Sequence, residues 1–146
     1  MRVAVGSDHA GFALKAALAD NLRELGHEVL DLGCFSEEKV DYTDFAIPVA
    51  ETVARGETER GLIVCGTGIG SCIAANKVAG VRAAVLSEAY SARMTRAHND
   101  ANVLCLGARV IGIDVARECL RAFLDTPFEG GRHAQRLSRI AELERR

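Results

Sequence analysis

Short apolar runs and helix-period patterns alternate along the whole chain. The runs with strand character are residues 3–5, 28–32, 62–65, 81–86 and 102–106. Patterns typical of helices follow them at residues 10–25, 44–54, 70–78, 87–97 and 113–124. Because parallel strands need a crossover connection, this alternation predicts an α/β fold whose parallel sheet is covered by helices on both faces.

The length of 146 residues suits one domain with a substantial core. We therefore expect a single three-layer domain over residues 1–146, with a five-stranded parallel sheet in the order 2-1-3-4-5. After Gly130-Gly131, a last helical pattern at 133–144 places Leu137, Ile140 and Leu143 in an apolar stripe. This segment, about 130–146, is expected to form a C-terminal helical arm, docked either on its own domain or on a partner subunit.

Composition and charge exclude several classes of function. The net charge is −2 and no long basic run occurs, which argues against nucleic-acid and anionic-membrane partners. No apolar stretch reaches membrane-spanning length. The five cysteines include no C-x-x-C pair, so reduced thiols are expected rather than a disulfide framework. Together with an N-terminus that already has strand character, this predicts a cytoplasmic protein.

The stretch from Cys65 to Cys72 joins the third strand to the third helix and has glycines at 66, 68 and 70. Such glycines let backbone N–H groups approach an anion, and oriented N–H groups favour a thiolate over a thiol. The spacing differs from the dinucleotide fingerprint G-x-G-x-x-G, although Glu88 keeps a nucleotide-binding alternative open. The loop thus predicts a small-anion or oxyanion site with Cys65 as a candidate base, the alternative being a buried core thiol.

Five other residues could contribute to chemistry. Asp8 and His9 follow the first strand, so a 2-1-3-4-5 sheet would bring them to the same edge as Cys65; the alternative is an ordinary helix cap beside a solvent-exposed histidine. His98 ends a helix, where it is either a ligand contact or a dipole-stabilised cation. Arg132 and Arg136, one turn apart, could clamp a phosphate or simply be solvated. No residues have the spacing of a known metal motif.

These segments together resemble type B ribose-5-phosphate isomerase, in a family that also contains allose-6-phosphate and galactose-6-phosphate isomerases. The resemblance covers nearly the whole chain in order and with matching spacing. The matching segments are Gly6-Ser7-Asp8-His9-Ala10-Gly11, Asp41-Tyr42, Cys65-Gly66-Thr67-Gly68-Ile69-Gly70, Ala74-Ala75-Asn76-Lys77, His98-Asn99-Asp100-Ala101-Asn102-Val103 and Gly130-Gly131-Arg132-His133 with Arg136.

The resemblance implies a Rossmann-like enzyme of the pentose phosphate pathway that interconverts an aldose phosphate and a ketose phosphate without a cofactor. It also implies a homodimer with shared active sites, or a dimer of such dimers. One branch of the family uses a glutamate at the position of Ser71 instead of the cysteine, so Cys65 places this chain in the cysteine branch. Ribose 5-phosphate and ribulose 5-phosphate are the expected pair. Allose 6-phosphate, galactose 6-phosphate or a tetrose phosphate remains an alternative, as does a non-catalytic phosphosugar- or nucleotide-binding module.

The resemblance also assigns roles to individual residues. Cys65 is implied as the base that moves a proton between C2 and C1, and His98, from the other subunit, as the acid in ring opening. Asp8 and Thr67 are implied at the catalytic centre. The implied substrate contacts are His9, Tyr42, Gly66, Gly68, Ile69, Gly70, Asn99, Arg132 and Arg136, with Arg109 from the neighbouring subunit.

Overall fold

A five-stranded parallel sheet forms the centre of the molecule. The structure is a computed structural model that describes residues 1–146. Its strands are β1 (Arg2–Ser7), β2 (Glu28–Asp31), β3 (Arg60–Cys65), β4 (Ala83–Val85) and β5 (Val103–Gly107). Its helices are α1 (Phe12–Glu24), α2 (Thr43–Ala54), α3 (Ile69–Ala75), α4 (Ala89–Asn99), α5 (Ile113–Asp125) and α6 (Arg132–Glu144). The predicted α/β class is confirmed.

The helices cover both faces of the sheet, because residues of the central strands alternate between two cores. On one face, Leu62 and Val64 of β3 pack in a core with residues of α1, α4 and α5. On the other face, Ile63 packs in a second core with residues of α2 and α3. Cys65 follows Ile63 by two residues, so it points to the face of α2 and α3.

The predicted strand order is wrong at one edge of the sheet. The order is β2-β1-β3-β5-β4, so β5 rather than β4 lies next to β3. A strand paired on both sides and covered by helices on both faces needs a continuous apolar run. Val103–Gly107 provides one and is fully buried, whereas β4 has three residues and its Val85 is 40% exposed. β1 and β3 remain neighbours, so the predicted meeting of the first and third loops is unaffected.

Helix α6 is the least integrated element. Only His133 among its residues is buried. A cavity of about 690 Å³ separates its apolar residues Leu137, Ile140 and Leu143 from the domain. Its end is attached, because the Gly80 N–H donates a hydrogen bond to the Glu144 carboxylate at 3.0 Å. The arm thus lies against its own domain in this chain, with its stripe incompletely covered. Neither α6 nor any other helix is long and apolar enough to cross a membrane.

Candidate active site

The loops after β1 and β3 meet at the carboxyl edge of the sheet. The Asp8 N–H donates to the Val64 carbonyl at 3.3 Å, which joins the start of the first loop to the end of β3. At Gly11 a side chain is excluded, because a Cβ would lie 2.2 Å from the Val64 carbonyl oxygen. Helix α1 can therefore begin directly against β3. The strand order changes direction at this edge, which is where doubly wound sheets bind ligands.

Cys65 ends β3 at the base of this edge and is 4% exposed. Its Sγ accepts a hydrogen bond from the Gly68 N–H at 3.1 Å and lies 3.2 Å from the Ser71 hydroxyl oxygen. The Ser71 hydroxyl is also within 3.1 Å of the Gly68 carbonyl. Because a hydroxyl both donates and accepts, Ser71 can serve either form of the sulfur: it accepts from a thiol or donates to a thiolate.

The segment from Cys65 to Ser71, which we name the thiol loop, exposes several unpaired donors. The N–H groups of Gly66, Thr67, Gly70 and Ser71 have no acceptor within the chain. The N–H of Ile69 donates to the Thr67 hydroxyl at 3.2 Å, and that of Gly68 is bound to the sulfur. Two of the five amides predicted from Gly66 to Gly70 are thus engaged internally, and three remain free for an anionic oxygen.

Glycine is required at the centre of the thiol loop. Gly68 has φ = 81°, in the left-handed region, and a Cβ there would lie 2.9 Å from the Leu106 carbonyl carbon of β5. At Gly70, a Cβ would lie 2.7 Å from the Tyr42 ring. The predicted sugar contact Tyr42 therefore packs directly against the loop.

Arg109 also lies beside the thiol loop of its own chain. Its Nη1 atom is 3.5 Å from the position that a Cβ on Gly66 would occupy. Its backbone N–H donates to the Gly66 carbonyl at 3.0 Å. The resemblance assigns this residue to the neighbouring subunit, but no second chain is needed to bring it to the loop.

Asp8 and His9 lie at the same edge and are held by the backbone. The Asp8 carboxylate accepts from the Gly11 N–H at 3.0 Å and is 8% exposed, so it holds the turn that precedes α1 and keeps its second oxygen free. Nδ1 of His9 lies 3.2 Å from both the N–H and the carbonyl of Val40. This contact fixes the ring and leaves Nε2 available for a ligand.

His98 belongs to a different part of the molecule, where it stacks on His133. The two ring centroids are 4.3 Å apart and the planes differ by 10°. The Glu129 carboxylate lies 3.9 Å from Nε2 of His98 and 3.6 Å from Nε2 of His133. Burial and then the neighbouring His98 lower the pKa of His133 from its ordinary value. We name His98, Glu129 and His133 the histidine cluster.

The remaining predicted residues lie near the histidine cluster, on α6 and at the end of α4. Arg132 and Arg136 are exposed on α6 beside Gln135 and Arg139, and the four side chains surround an open polar depression of about 250 Å³. Asn99 lines the larger cavity under α6. No hydrogen bond or ion pair connects this group to the thiol loop within the chain. The predicted site residues therefore form two groups, one at the sheet edge and one at the end of α4 and along α6.

Two further cysteines lie behind the thiol loop. A hydrogen bond with Cys105 lowers the pKa of Cys72 to about 7, and the same contact, with full burial, raises the pKa of Cys105 well above its ordinary value. Cys72 is partly exposed. The sequence indicates only core packing for Cys72, but the structure makes it a second candidate for reaction with electrophiles.

Sequence reasoning missed three residues of this region. Ser71 was noted only because it is not a glutamate, although its place six residues after Cys65 sets it beside the sulfur. Glu129 and His133 carry no local signal for their contact, because Glu129 precedes α6 and two glycines with positive φ, Gly130 and Gly131, lie between them. Their approach to His98 has no local sequence signal, because it depends on how α6 packs on α4.

The fold and site define a doubly wound α/β protein with a thiol and an anion-binding loop at its ligand-binding edge. A sequence model described as "Ribose/Galactose Isomerase" matches residues 3–140. The chain belongs to this family.

Individual relatives are similar over nearly the whole chain. Ribose-5-phosphate isomerase B of Escherichia coli K12 is 49% identical over 145 residues, which are 99% of this chain and 97% of that one. The structure of the Clostridium thermocellum ribose-5-phosphate isomerase B is 52% identical with a TM-score of 0.98, covering 99% and 98% of the two chains. The Mycoplasma genitalium enzyme, solved with bound ribulose-5-phosphate, is 38% identical with a TM-score of 0.95, covering 99% and 96%.

Proposed function

We propose that this protein is an aldose–ketose isomerase that interconverts ribose 5-phosphate and ribulose 5-phosphate. The observation that carries the proposal is the setting of Cys65, a buried thiol beside Ser71 and beside loop N–H groups that lack acceptors. The family and the ribulose-5-phosphate complex of a relative support the choice of reaction and of sugar. Free cysteines throughout the chain agree with the reducing cytoplasm, where the pentose phosphate pathway would use this reaction.

The proton transfer would be carried out by the thiol loop. The Cys65 thiolate removes the C2 proton of the open-chain aldose, which leaves a cis-enediolate with negative charge on O1. A proton passes from O2 to O1, and the Cys65 thiol returns its proton to C1, which gives the ketose and restores the thiolate. The free N–H groups of Gly66, Thr67 and Gly70 would donate to the enediolate oxygen, where negative charge develops. Because Ser71 can pair with either form of the sulfur, neither step leaves Cys65 without a hydrogen bond.

Ring opening and substrate binding would use the other predicted residues. His98 would act as the acid in ring opening, with Asp8 and Thr67 at the reacting centre. The sugar and phosphate contacts would be His9, Tyr42, Asn99, Arg109, Arg132 and Arg136. Arginine suits this task because its guanidinium binds phosphate oxygens in pairs. The free second oxygen of Asp8 and the free Nε2 of His9 support their assignment to the sheet edge.

We further propose that each complete site is shared by two chains of a homodimer, or of a dimer of such dimers. Within one chain, no bond connects the thiol loop with His98. The partly uncovered apolar stripe of α6 offers surface that a second chain could bury. The shared site explains how one reaction could use both groups of residues.

The decisive experiment is an isomerisation assay with a panel of sugar phosphates. The purified protein is given ribose, allose, galactose and tetrose phosphates at equal concentration, and formation of each ketose is followed. We expect the highest kcat/KM with ribose 5-phosphate. A higher kcat/KM with a six-carbon or four-carbon sugar phosphate would identify that sugar, rather than ribose 5-phosphate, as the preferred substrate. Binding of the sugars without turnover would show that the protein is a phosphosugar-binding module and not an isomerase.

A further inference from the structure

The histidine cluster brings three potential metal ligands to one point. One ring nitrogen of His98, one ring nitrogen of His133 and a carboxylate oxygen of Glu129 all lie within 4.8 Å of one another. The two contacts of the carboxylate are 3.9 Å and 3.6 Å. Two ligands bound tetrahedrally to Zn²⁺ at 2.0–2.1 Å would be roughly 3.3 Å apart. Coordination of all three donors therefore needs contractions of a few tenths of an ångström to about 1.5 Å. It also needs one imidazole to rotate out of the stack, because the in-plane lone pairs of two parallel rings cannot meet at one ion.

A second observation is that these groups have no other partners. Neither imidazole makes a side-chain hydrogen bond within the chain, and no lysine or arginine pairs with Glu129. Buried or half-buried polar groups normally have hydrogen-bonding partners. Of the three groups only His133 is buried, at 8% exposure, and a bound cation would give its ring a partner; His98 and Glu129, at 38% and 58% exposure, remain open to solvent and accessible to an ion.

The backbone holds two of the ligands in place while the third can adjust. The Glu129 N–H donates to the carbonyl of Ala97 at 3.0 Å, which ties Glu129 to the last turn of α4 beside His98. His133 is buried in the first turn of α6. The His98 side chain is 38% exposed, so its ring can leave the stack and turn its nitrogen toward the ion.

We propose that His98, Glu129 and His133 bind a divalent transition-metal ion of the zinc class, with a fourth position open to water. Two imidazoles and one carboxylate with an open position are a common donor set for this ion. The ion would be an inhibitor rather than a cofactor, because a coordinated His98 nitrogen cannot donate a proton to the sugar ring. This inhibitory role rests on the proposed function.

Binding is tested by calorimetric titration of Zn²⁺ into the intact protein and into three variants. Glu129→Gln and His133→Asn each remove one ligand, and Glu142→Gln is the matched control on the exposed face of α6. We expect one ion per chain, an affinity at least tenfold lower in the two ligand variants, and no change in the control. Zinc-edge X-ray absorption should show nitrogen and oxygen ligands only. Sulfur ligation, or equal affinity in Glu129→Gln and Glu142→Gln, would overturn the site.

Activity is measured separately, with and without Zn²⁺. Zn²⁺ at saturating concentration should inhibit ribose 5-phosphate turnover by the parental protein and by Glu142→Gln, and a chelator should restore it. Full turnover with the ion bound would overturn the inhibitory role. If the protein binds Zn²⁺ through these ligands but isomerises no sugar, the proposed function is wrong and the metal site stands. An active isomerase that binds no Zn²⁺ would overturn the metal site alone.

Discussion

The thiol loop and the histidine cluster differ in how completely one chain satisfies them. At the thiol loop, the Cys65 sulfur has two partners, Gly68 packs against β5, and Tyr42 packs against Gly70. In the histidine cluster, two imidazoles and a carboxylate converge without a hydrogen bond among them. The loop is anchored to a buried strand, whereas the cluster joins the end of α4 to the loosely packed α6.

The thiol loop is preorganised for chemistry by its own chain, whereas the histidine cluster can still bind a further group. Donors fixed by the fold need no reorganisation when charge develops, so the thiol loop suits enediolate stabilisation. The histidine cluster instead presents two partly exposed groups and one buried imidazole at a surface that a partner chain, a substrate or an ion can reach.

The largest effect is expected at the sulfur. Cys65→Ala should lower kcat by about 10²–10⁴-fold, because a general base is lost from an otherwise intact loop. Steady-state turnover of ribose 5-phosphate measures this, and circular dichroism checks the fold. Cys72→Ser is the matched control and should keep most of its activity. Near-parental turnover by Cys65→Ala would show that another residue is the general base.

A mixed dimer tests whether the two regions act across chains. Cys65→Ala and His98→Asn proteins, each inactive alone, are allowed to exchange subunits. If sites are shared, a mixed dimer has one site with both defects and one with neither, so activity should return toward half that of the parental dimer. Mass spectrometry must show that exchange occurred. Exchange without recovered activity would mean that Cys65 and His98 act within one chain.

A smaller effect is expected at Ser71. Ser71→Ala removes a hydrogen-bonding partner of the sulfur, and a hydrogen bond to a charged group contributes about 1.5–3 kcal/mol. We therefore expect kcat to fall roughly 10–100-fold with little change in KM. Ser138→Ala, on the exposed face of α6, serves as the control. A fall as large as that of Cys65→Ala would instead assign the proton transfer to Ser71 itself.

The smallest effect concerns Cys72, behind the loop. Because its pKa is lowered to about 7, its thiolate fraction should rise as the pH passes through about 7, and its alkylation by iodoacetamide should follow. Peptide mass spectrometry of protein labelled between pH 5.5 and 9 gives the midpoint. A midpoint near that of an ordinary thiol, about 8.5, would show that the contact with Cys105 does not stabilise the thiolate.

Local patterns predicted much of this protein. Alternating apolar runs and helix periods predicted the α/β class, because burial on two faces and the helical repeat both act over a few residues. The loop glycines predicted a segment where the backbone takes an unusual conformation, and Gly68 has it. The thiol was singled out because it ends a buried strand immediately before those glycines.

Only the tertiary structure decided how distant segments meet. β5 lies beside β3 because it is the more apolar and more deeply buried of the last two strands. The predicted order followed the sequence and placed β4 there instead. The pairing of His98 with Glu129 and His133 depends on the packing of α6 against α4, and Arg109 reaches Gly66 through the neighbouring ends of β3 and β5. Propensity and periodicity depend on residues close in the chain, whereas these contacts depend on which nonlocal packing buries the most apolar surface, and that is a property of the whole fold.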